Sequence, residues 1–217
     1  MNGEKTEIEA KFVCADELGL NNFLDVINTL GFQYNKEKPC FQTDAYFDTS
    51  DYTLLNSDMA LRIRQKGENY VGAYKSSKKQ RGAIFERKEV EWVLSRDEIK
   101  LWNEAKKPTI PPRIVDELNL GEQPLRKVLV VETQRSTAIV TGTDGFKVEL
   151  SLDEVTFRGH KGQRHYREIE IELLNGQLEK LQQVIDCLQN HLKIQPAVDS
   201  KYKKGMMMVG KYGMTSP

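Results

Sequence analysis

The chain has 217 residues, with lysine plus arginine and aspartate plus glutamate balanced at 32 each. This length can carry a real core in one large domain, and the balance argues against a net field drawing the chain to nucleic acid or a membrane surface. The three cysteines are widely spaced with no CxxC pair, which argues against a disulfide framework or a thiolate metal site.

TEIEAKF, residues 6–12, opens on a strand. Strand side chains alternate between faces, so Glu7, Glu9 and Lys11 share one face and Ile8, Ala10 and Phe12 the other. Residues 15–31 read as an amphipathic helix, with Leu20, Phe23, Leu24 and Ile27 at helical spacing, Asp16 as cap and Gly31 as stop. CFQTDAYFDTSD is a strand running into a turn, and MALRIRQKGENYVGAYKS is a hairpin around Gly-Glu-Asn. KSSKKQRG, residues 75–82, reads as a mobile basic loop with Lys75 alone pointing inward. AIFERKEVEWVLS is a further strand, and Ser95 with Glu98 forms a capping box before a helix carrying Ile99 and Trp102. KKPTIPP breaks that helix and RIVDELNL forms a short one.

Strands resume in LRKVLVVETQRSTAIVT, GFKVELSLDEVTF and HYREIEIELL, the first two joined by the Thr-Asp-Gly turn at residues 143–145. A helix after Asn175 aligns Leu178, Leu181, Ile185, Leu188 and Leu192. Asp199 or Ser200 caps a last short helix, and the tail YGMTSP is loose. About eight strands with helices between them predict an α+β fold in which the antiparallel sheet closes on itself. No linker divides the chain, so residues 1–217 are expected to form one domain with its core over about 5–210. No apolar run reaches membrane-spanning length and the first residues lack an apolar signal segment, so a cytoplasmic protein without a membrane partner is expected.

The pattern of the first strand returns in the others. Arg62 and Arg64 share a face; so do Arg87, Glu89 and Glu91, and so do Glu168, Glu170 and Glu172. Lys75, Arg135 and Asp153 end up on the polar sides of their strands. For any one strand, a solvated sheet face explains this. For the set it does not, because like charges at i and i+2, about 6–7 Å apart by the strand rise, repel each other. Carboxylate clusters are stabilised by Mg²⁺ or Mn²⁺, which prefer oxygen ligands, and arginine and lysine clusters by phosphate. Both together are the chemistry of a metal–polyphosphate complex. If the apolar faces pack against helices, the charged faces must line a wet tunnel, since unpaired buried ions are too costly for a dry core.

These residues resemble the CYTH domain of the triphosphate tunnel metalloenzymes. EIEAK matches the ExExK signature, and the similarity continues in order through YFDT, ALRIR, the Lys of YK, RKEVE, LDE, EIEIEL and SKYKKG, covering nearly the whole chain. The resemblance implies a closed eight-stranded antiparallel β tunnel with a charged lumen and helices packed outside. It also implies binding of a linear triphosphate with one or two Mg²⁺ or Mn²⁺ ions. By this match Glu7, Glu9 and Glu168 hold a first metal, and Asp153 and Glu170 a second. Lys11, Arg62, Arg64, Lys75, Arg87, Arg135 and Lys201 grip phosphate, with Glu170, Asp153, Lys11 and Arg62 as the catalytic set. Glu89, Glu91, Glu172 and Lys204 are secondary candidates; relatives often carry SKxxRG where this chain has Lys204 before Gly205.

The activity so implied is removal of the terminal phosphate from a small-molecule triphosphate, inorganic triphosphate first, with nucleoside triphosphates as further substrates. The closest look is to bacterial inorganic triphosphatases, and the molecule is expected to be a monomer or homodimer. Class IV adenylyl cyclase and thiamine triphosphatase are the enzymatic alternatives, and a polyphosphate-binding sensor the non-enzymatic one. His160 and His165 flank KGQR without a well-spaced third ligand and read as a hydrated turn.

Overall fold

Strand alternation builds a closed sheet whose two faces have opposite chemistry. The computed structural model describes residues 3–105 and 108–210. In chain order it contains β1 (Gly3–Cys14), α1 (Leu20–Asn28), β2 (Gln33–Lys36), β3 (Cys40–Asp48), α2 (Thr53–Asn56), β4 (Ala60–Lys66), β5 (Asn69–Arg81) and β6 (Ile84–Val93). There follow α3 (Arg96–Ala105), α4 (Pro112–Leu118), β7 (Arg126–Thr141), β8 (Lys147–Gly159), β9 (Gly162–Asn175), α5 (Leu178–His191), β10 (Ile194–Pro196) and α6 (Lys201–Val209). Going round, β1-β6-β5-β4-β3-β7-β8-β9 returns to β1, with neighbours antiparallel throughout, and this is the expected eight-stranded barrel. The short β2 and β10 add to it from outside, on β7 and β1. Hairpins set the register: Lys66 pairs with Asn69 across a two-residue loop in which Gly67 takes φ 60°.

Much of the outward face is apolar and buried under helices. Phe23, Leu24 and Ile27 of α1 and Leu181, Val184, Ile185 and Leu188 of α5 pack on Ala10, Phe12, Leu150, Ile169 and Ile171. On another side Trp102 of α3 and Ile114 and Leu118 of α4 pack on Phe47, Leu61, Ile63, Val90 and Trp92. The third packing is inside the barrel end. Inward-facing Leu129, Val131, Val155 and Phe157 meet Tyr202, Met206 and Val209 of α6, closing that end with apolar side chains. No helix among the described residues is long and apolar enough to cross a membrane.

Local expectations are corrected in three places. The first helix starts at Leu20, with Gly19 rather than Asp16 at its N-cap, because Arg167 draws the carbonyls of Ala15, Asp16 and Leu18 into hydrogen bonds that keep this segment out of the helix. Most of residues 75–82 are strand rather than loop. β5 runs on to Arg81, pairing Lys79, Gln80 and Arg81 with Glu86, Phe85 and Ile84 after a bulge, so backbone pairing overrides the polar composition. The short β2, α2 and β10 carry too few residues for a period to show. As expected, Ser95 and Glu98 bond reciprocally, and Ser200 caps α6 by accepting from the Lys203 N–H. The start of KKPTIPP (residues 106–107) and the tail YGMTSP lie outside the described residues.

Gly205 lets α6 lie against the barrel: a Cβ there would meet Leu129 Cδ2 at 2.6 Å and Phe157 Cδ1 at 2.7 Å. Gly205→Ala gains about 1 kcal/mol of helix propensity but overpacks a closed interface at about 1–3 kcal/mol. Net destabilisation is expected, read as a lower urea midpoint; a raised midpoint would show that this contact has room to spare.

Candidate active site

The inward faces converge on a bore of about 180 Å³. β1 contributes Lys5, Glu7, Glu9 and Lys11; β4 contributes Arg62 and Arg64; β5 contributes Lys75; and β6 contributes Arg87, Glu89 and Glu91. The opposite wall carries Arg135 of β7, Glu149 and Ser151 of β8, and Glu170 and Glu172 of β9, while α6 inserts Lys201 from the closed end. Asp153 and Glu168 lie directly behind, both fully buried. Except for Lys204, every residue singled out from sequence lies in or against this bore. Lys204 turns away, its ammonium 5.4 Å from the Tyr166 ring centroid. α6 places residues 201 and 204 at different depths, and only Lys201 reaches the ionic network.

Two ion clusters organise the site. In the first, Asp153, Glu168 and Glu170 each offer an oxygen within 4.8 Å of the others. Arg135 forks onto Asp153 at 2.7 and 2.6 Å and also donates to Glu170. Lys11 donates to Glu170 at 2.5 Å, and Lys201 lies 2.6 Å from Asp153 and 2.7 Å from Glu168. In the second cluster Lys75 donates to both oxygens of Glu7 at 2.7 and 2.5 Å and sits 3.2 Å from Glu89. Arg62 lies between, 3.7 Å from Asp44 and 3.8 Å from Glu89, and Arg64 forks onto Asp44 at 2.7 and 2.8 Å. The grouping differs from the sequence-based one: Glu168 sits with Asp153 and Glu170, whereas Glu7 faces Lys75 and Glu9 lies 3.0 Å from Lys11.

Several buried polar atoms are left over. Glu9 Oε1, Glu168 Oε1, Arg62 Nε, and Arg87 Nε and Nη2 have no hydrogen-bond partner among the described residues; for Glu168 the Lys201 contact is close but poorly aligned. Arg87 is 5 % exposed, its guanidinium held 5.3 Å from the Phe85 ring centroid. Buried charge without a hydrogen bond is costly, so these atoms fit a cation on the acid side and an anion on the guanidinium side. The oxygen-only donor set of Asp153, Glu168 and Glu170 suits a hard divalent cation.

The electrostatics separate the carboxylates. Burial works against charge on Glu170, but Lys11, Lys201 and Arg135 outweigh it and hold the group well below the usual range. Burial dominates at Glu168, which is pushed above its ordinary value, the Glu170 charge adding to the effect and Lys201 opposing it. Burial likewise disfavours a charged Lys201 and Lys11, yet their carboxylate neighbours raise both above the ordinary lysine value. Burial opposes charge on Asp44 too, and the Arg64 and Arg62 guanidiniums overcome it, lowering Asp44 to about 2.

A depressed carboxyl contributes stability that is present above its unfolded value of about 3.9 and is lost as pH falls through its folded one. Asp44→Asn is therefore expected to flatten the loss of unfolding free energy between about pH 4 and 2, by about 2 kcal/mol. Urea titrations at both pH values check this. Equal acid sensitivity in the two proteins would dismiss the Asp44 contribution.

Sequence reasoning missed Lys5, Asp44, Glu149 and Ser151. The signal for three of them was the same alternation: Lys5 continues the Glu7 face, and Glu149 and Ser151 continue the Asp153 face. Asp44 shares its face with Gln42, Tyr46 and Asp48, and that mixture hides a lumen residue.

The site is a closed antiparallel tunnel with interleaved cations and carboxylates, blocked at one end by α6 and backed by an acidic trio. The CYTH domain family model matches residues 5–205. The chain belongs to the CYTH domain family. Among solved structures it is similar to an adenylyl cyclase candidate from Hippeastrum described as having a dominant triphosphatase activity, with TM-score 0.63, 19% identity and coverage of 94% and 96% of the two chains. It is equally similar in fold to an adenylate cyclase candidate from Bacillus halodurans, with TM-score 0.63, 22% identity and coverage of 93% and 98%. An adenylate cyclase candidate of Methanocaldococcus jannaschii is 36% identical over 72 residues, 33% of this chain, and the match spans only 38% of that relative's length.

Proposed function

We propose that this protein hydrolyses the terminal phosphoanhydride of a linear triphosphate in a metal-dependent reaction, with inorganic triphosphate as substrate and pyrophosphate and phosphate as products. The observation that carries this reading is the meeting, in and directly behind one bore, of the Arg87 guanidinium, whose Nε and Nη2 lack a hydrogen-bond partner among the described residues, with the acidic trio of Asp153, Glu168 and Glu170. A pure anion binder needs the basic groups but not the clustered acids. The bore is also smaller than the roughly 300 Å³ at which ordinary small-molecule pockets begin. Its lining rings, Tyr46 and Tyr202, stack on each other with centroids 5.0 Å apart, so recognition falls on the phosphates themselves.

In this reading Lys11, Arg62, Arg64, Lys75, Arg87, Arg135 and Lys201 bind the phosphate oxygens and hold the chain in line; positioning and charge neutralisation supply most of the catalysis of phosphoryl transfer. Mg²⁺ or Mn²⁺ held by Asp153, Glu168 and Glu170, with Glu7 and Glu9 as further acidic ligands, would supply Lewis acidity at those oxygens. Glu170, kept ionised, suits holding the cation. Glu168, raised by burial, is readier than Glu170 to carry a proton. Water attacks the terminal phosphorus as the bond to its bridging oxygen breaks, and pyrophosphate leaves.

The test is one panel on purified protein: tripolyphosphate, ATP, thiamine triphosphate and pyrophosphate, each with Mg²⁺ or Mn²⁺, scored for phosphate and cyclic AMP. Phosphate release from tripolyphosphate, abolished by EDTA, is expected. Cyclic AMP as the main product from ATP would overturn the proposal. So would tripolyphosphate binding in EDTA with no phosphate released once metal is restored.

A further inference from the structure

We infer that Asp44 is a positioning residue of the tunnel: its carboxylate grips one edge of Arg64 and thereby fixes how that guanidinium meets phosphate. This rests on the triphosphate reading above and adds to it a residue that does not itself touch the substrate. Arg62 and Arg64 follow each other on the inward face of β4, and both line the bore. Cross-strand register sets Asp44 of β3 directly opposite Arg64. Asp44 is completely buried and is not part of the bore lining. It accepts from Nε and Nη2 of Arg64 at 2.7 and 2.8 Å, the bidentate geometry that adds orientation to attraction. Arg62 is 3.7 Å from the same carboxylate, beyond hydrogen-bond reach.

The fork divides the donors of Arg64 into two sets. It uses the Nε–Nη2 edge and leaves Nη1 and the outer N–H of Nη2 for phosphate. Arg87 is in the opposite condition, its Nε and Nη2 both without a hydrogen-bond partner among the described residues. A triphosphate thus meets one guanidinium with a vacant edge and one already anchored from behind. An unanchored arginine loses rotamer freedom when it binds, and the anchor removes that loss beforehand. The anchor also works against the ligand. Although burial opposes it, the Arg64 and Arg62 guanidiniums keep Asp44 charged, so a negative charge stands behind an anion site. Charge and position therefore predict opposite results for neutralising Asp44. Loss of the charge alone tightens polyanion binding; loss of the anchor weakens it.

The experiment compares wild type with Asp44→Asn, which keeps the volume but turns an amide N–H toward the guanidinium. With Mg²⁺, KM for tripolyphosphate is expected to rise about tenfold with kcat unchanged, the factor that one hydrogen bond to a charged group is worth. Asp44→Glu keeps the charge and lengthens the arm, so it is expected to raise KM too, and it decides the question if the asparagine protein does not fold. Calorimetric titration of tripolyphosphate in EDTA makes the same comparison without turnover. If wild type releases no phosphate, the hydrolase reading fails and the calorimetric affinities still decide Asp44. Arg64→Lys breaks the fork from the other side, and adding Asp44→Asn to it is expected to change affinity by less than about twofold. Tighter or unchanged tripolyphosphate binding on replacing Asp44 overturns the proposal. So does a loss that adds in full to that of Arg64→Lys, because Asp44 then acts by a route other than Arg64.

Discussion

Glu170→Ala is expected to remove most turnover of tripolyphosphate, by about 10²–10³-fold, a loss typical of deleting one preorganised electrostatic group. Glu170 is the carboxylate on which the deep network converges: Lys11 donates to it at 2.5 Å, Arg135 donates to its other oxygen, and Lys201 lies at 3.4 Å. Removing it frees cations as well as a metal ligand, so the two effects separate in the kinetics. Phosphate binding is expected to hold or tighten, while the metal concentration for half-maximal rate rises and kcat falls. Glu170→Gln keeps the shape and loses the charge, and is expected to follow Glu170→Ala. Either variant turning over close to wild type at saturating metal would remove Glu170 from its proposed role.

Asp48→Ala should be the most destabilising single change outside the bore, at about 3–5 kcal/mol. Asp48 is completely buried. One oxygen accepts the Thr49 N–H at 2.7 Å and the Leu54 N–H at 2.9 Å; the other accepts the Leu55 N–H at 2.9 Å and the Tyr202 hydroxyl at 2.7 Å. Alanine would leave these buried donors without their acceptor, at about 1–3 kcal/mol for a stranded donor. For a domain stable by about 5–15 kcal/mol, that is a large fraction. Because Tyr202 lies on α6 next to Lys201, the network also fixes the helix that closes the tunnel. Asp48→Asn, which presents an amide N–H to some of these donors, is expected to fall between. Urea unfolding decides the matter, and a loss under about 1 kcal/mol would mean that water reaches these donors.

Much of the site was legible because a strand has a period of two. Glu7, Glu9 and Lys11 could share a face in no other way once Ile8, Ala10 and Phe12 were committed to the core. The same reasoning found Glu89, Glu91, Glu168, Glu170 and Glu172. It did not find Asp44, whose strand alternates less cleanly. Nor did it give the pairing of charges. Lys11 meets Glu170, and Lys75 meets Glu7, across strands 159 and 68 residues apart in the chain. Such partners are selected by the stagger of the closed sheet, which no local pattern encodes. Residues 75–82 were misread for a related reason: their composition is that of a loop, and the pairing with β6 that makes most of them strand is a tertiary fact.

The amino-acid order alone therefore determined the inward and outward sides of the staves, the mixture of acids and bases facing the lumen, and the helical stripes that cover the rest. Each follows from short-range geometry: a side chain's direction depends only on its place in a strand or helix. Tertiary structure decided the closure of the barrel, the acidic trio drawn from β8 and β9, and the blocking of one end by α6. Those depend on register between distant segments, where burying apolar faces and pairing ions must be satisfied together, and one sheet arrangement meets both demands.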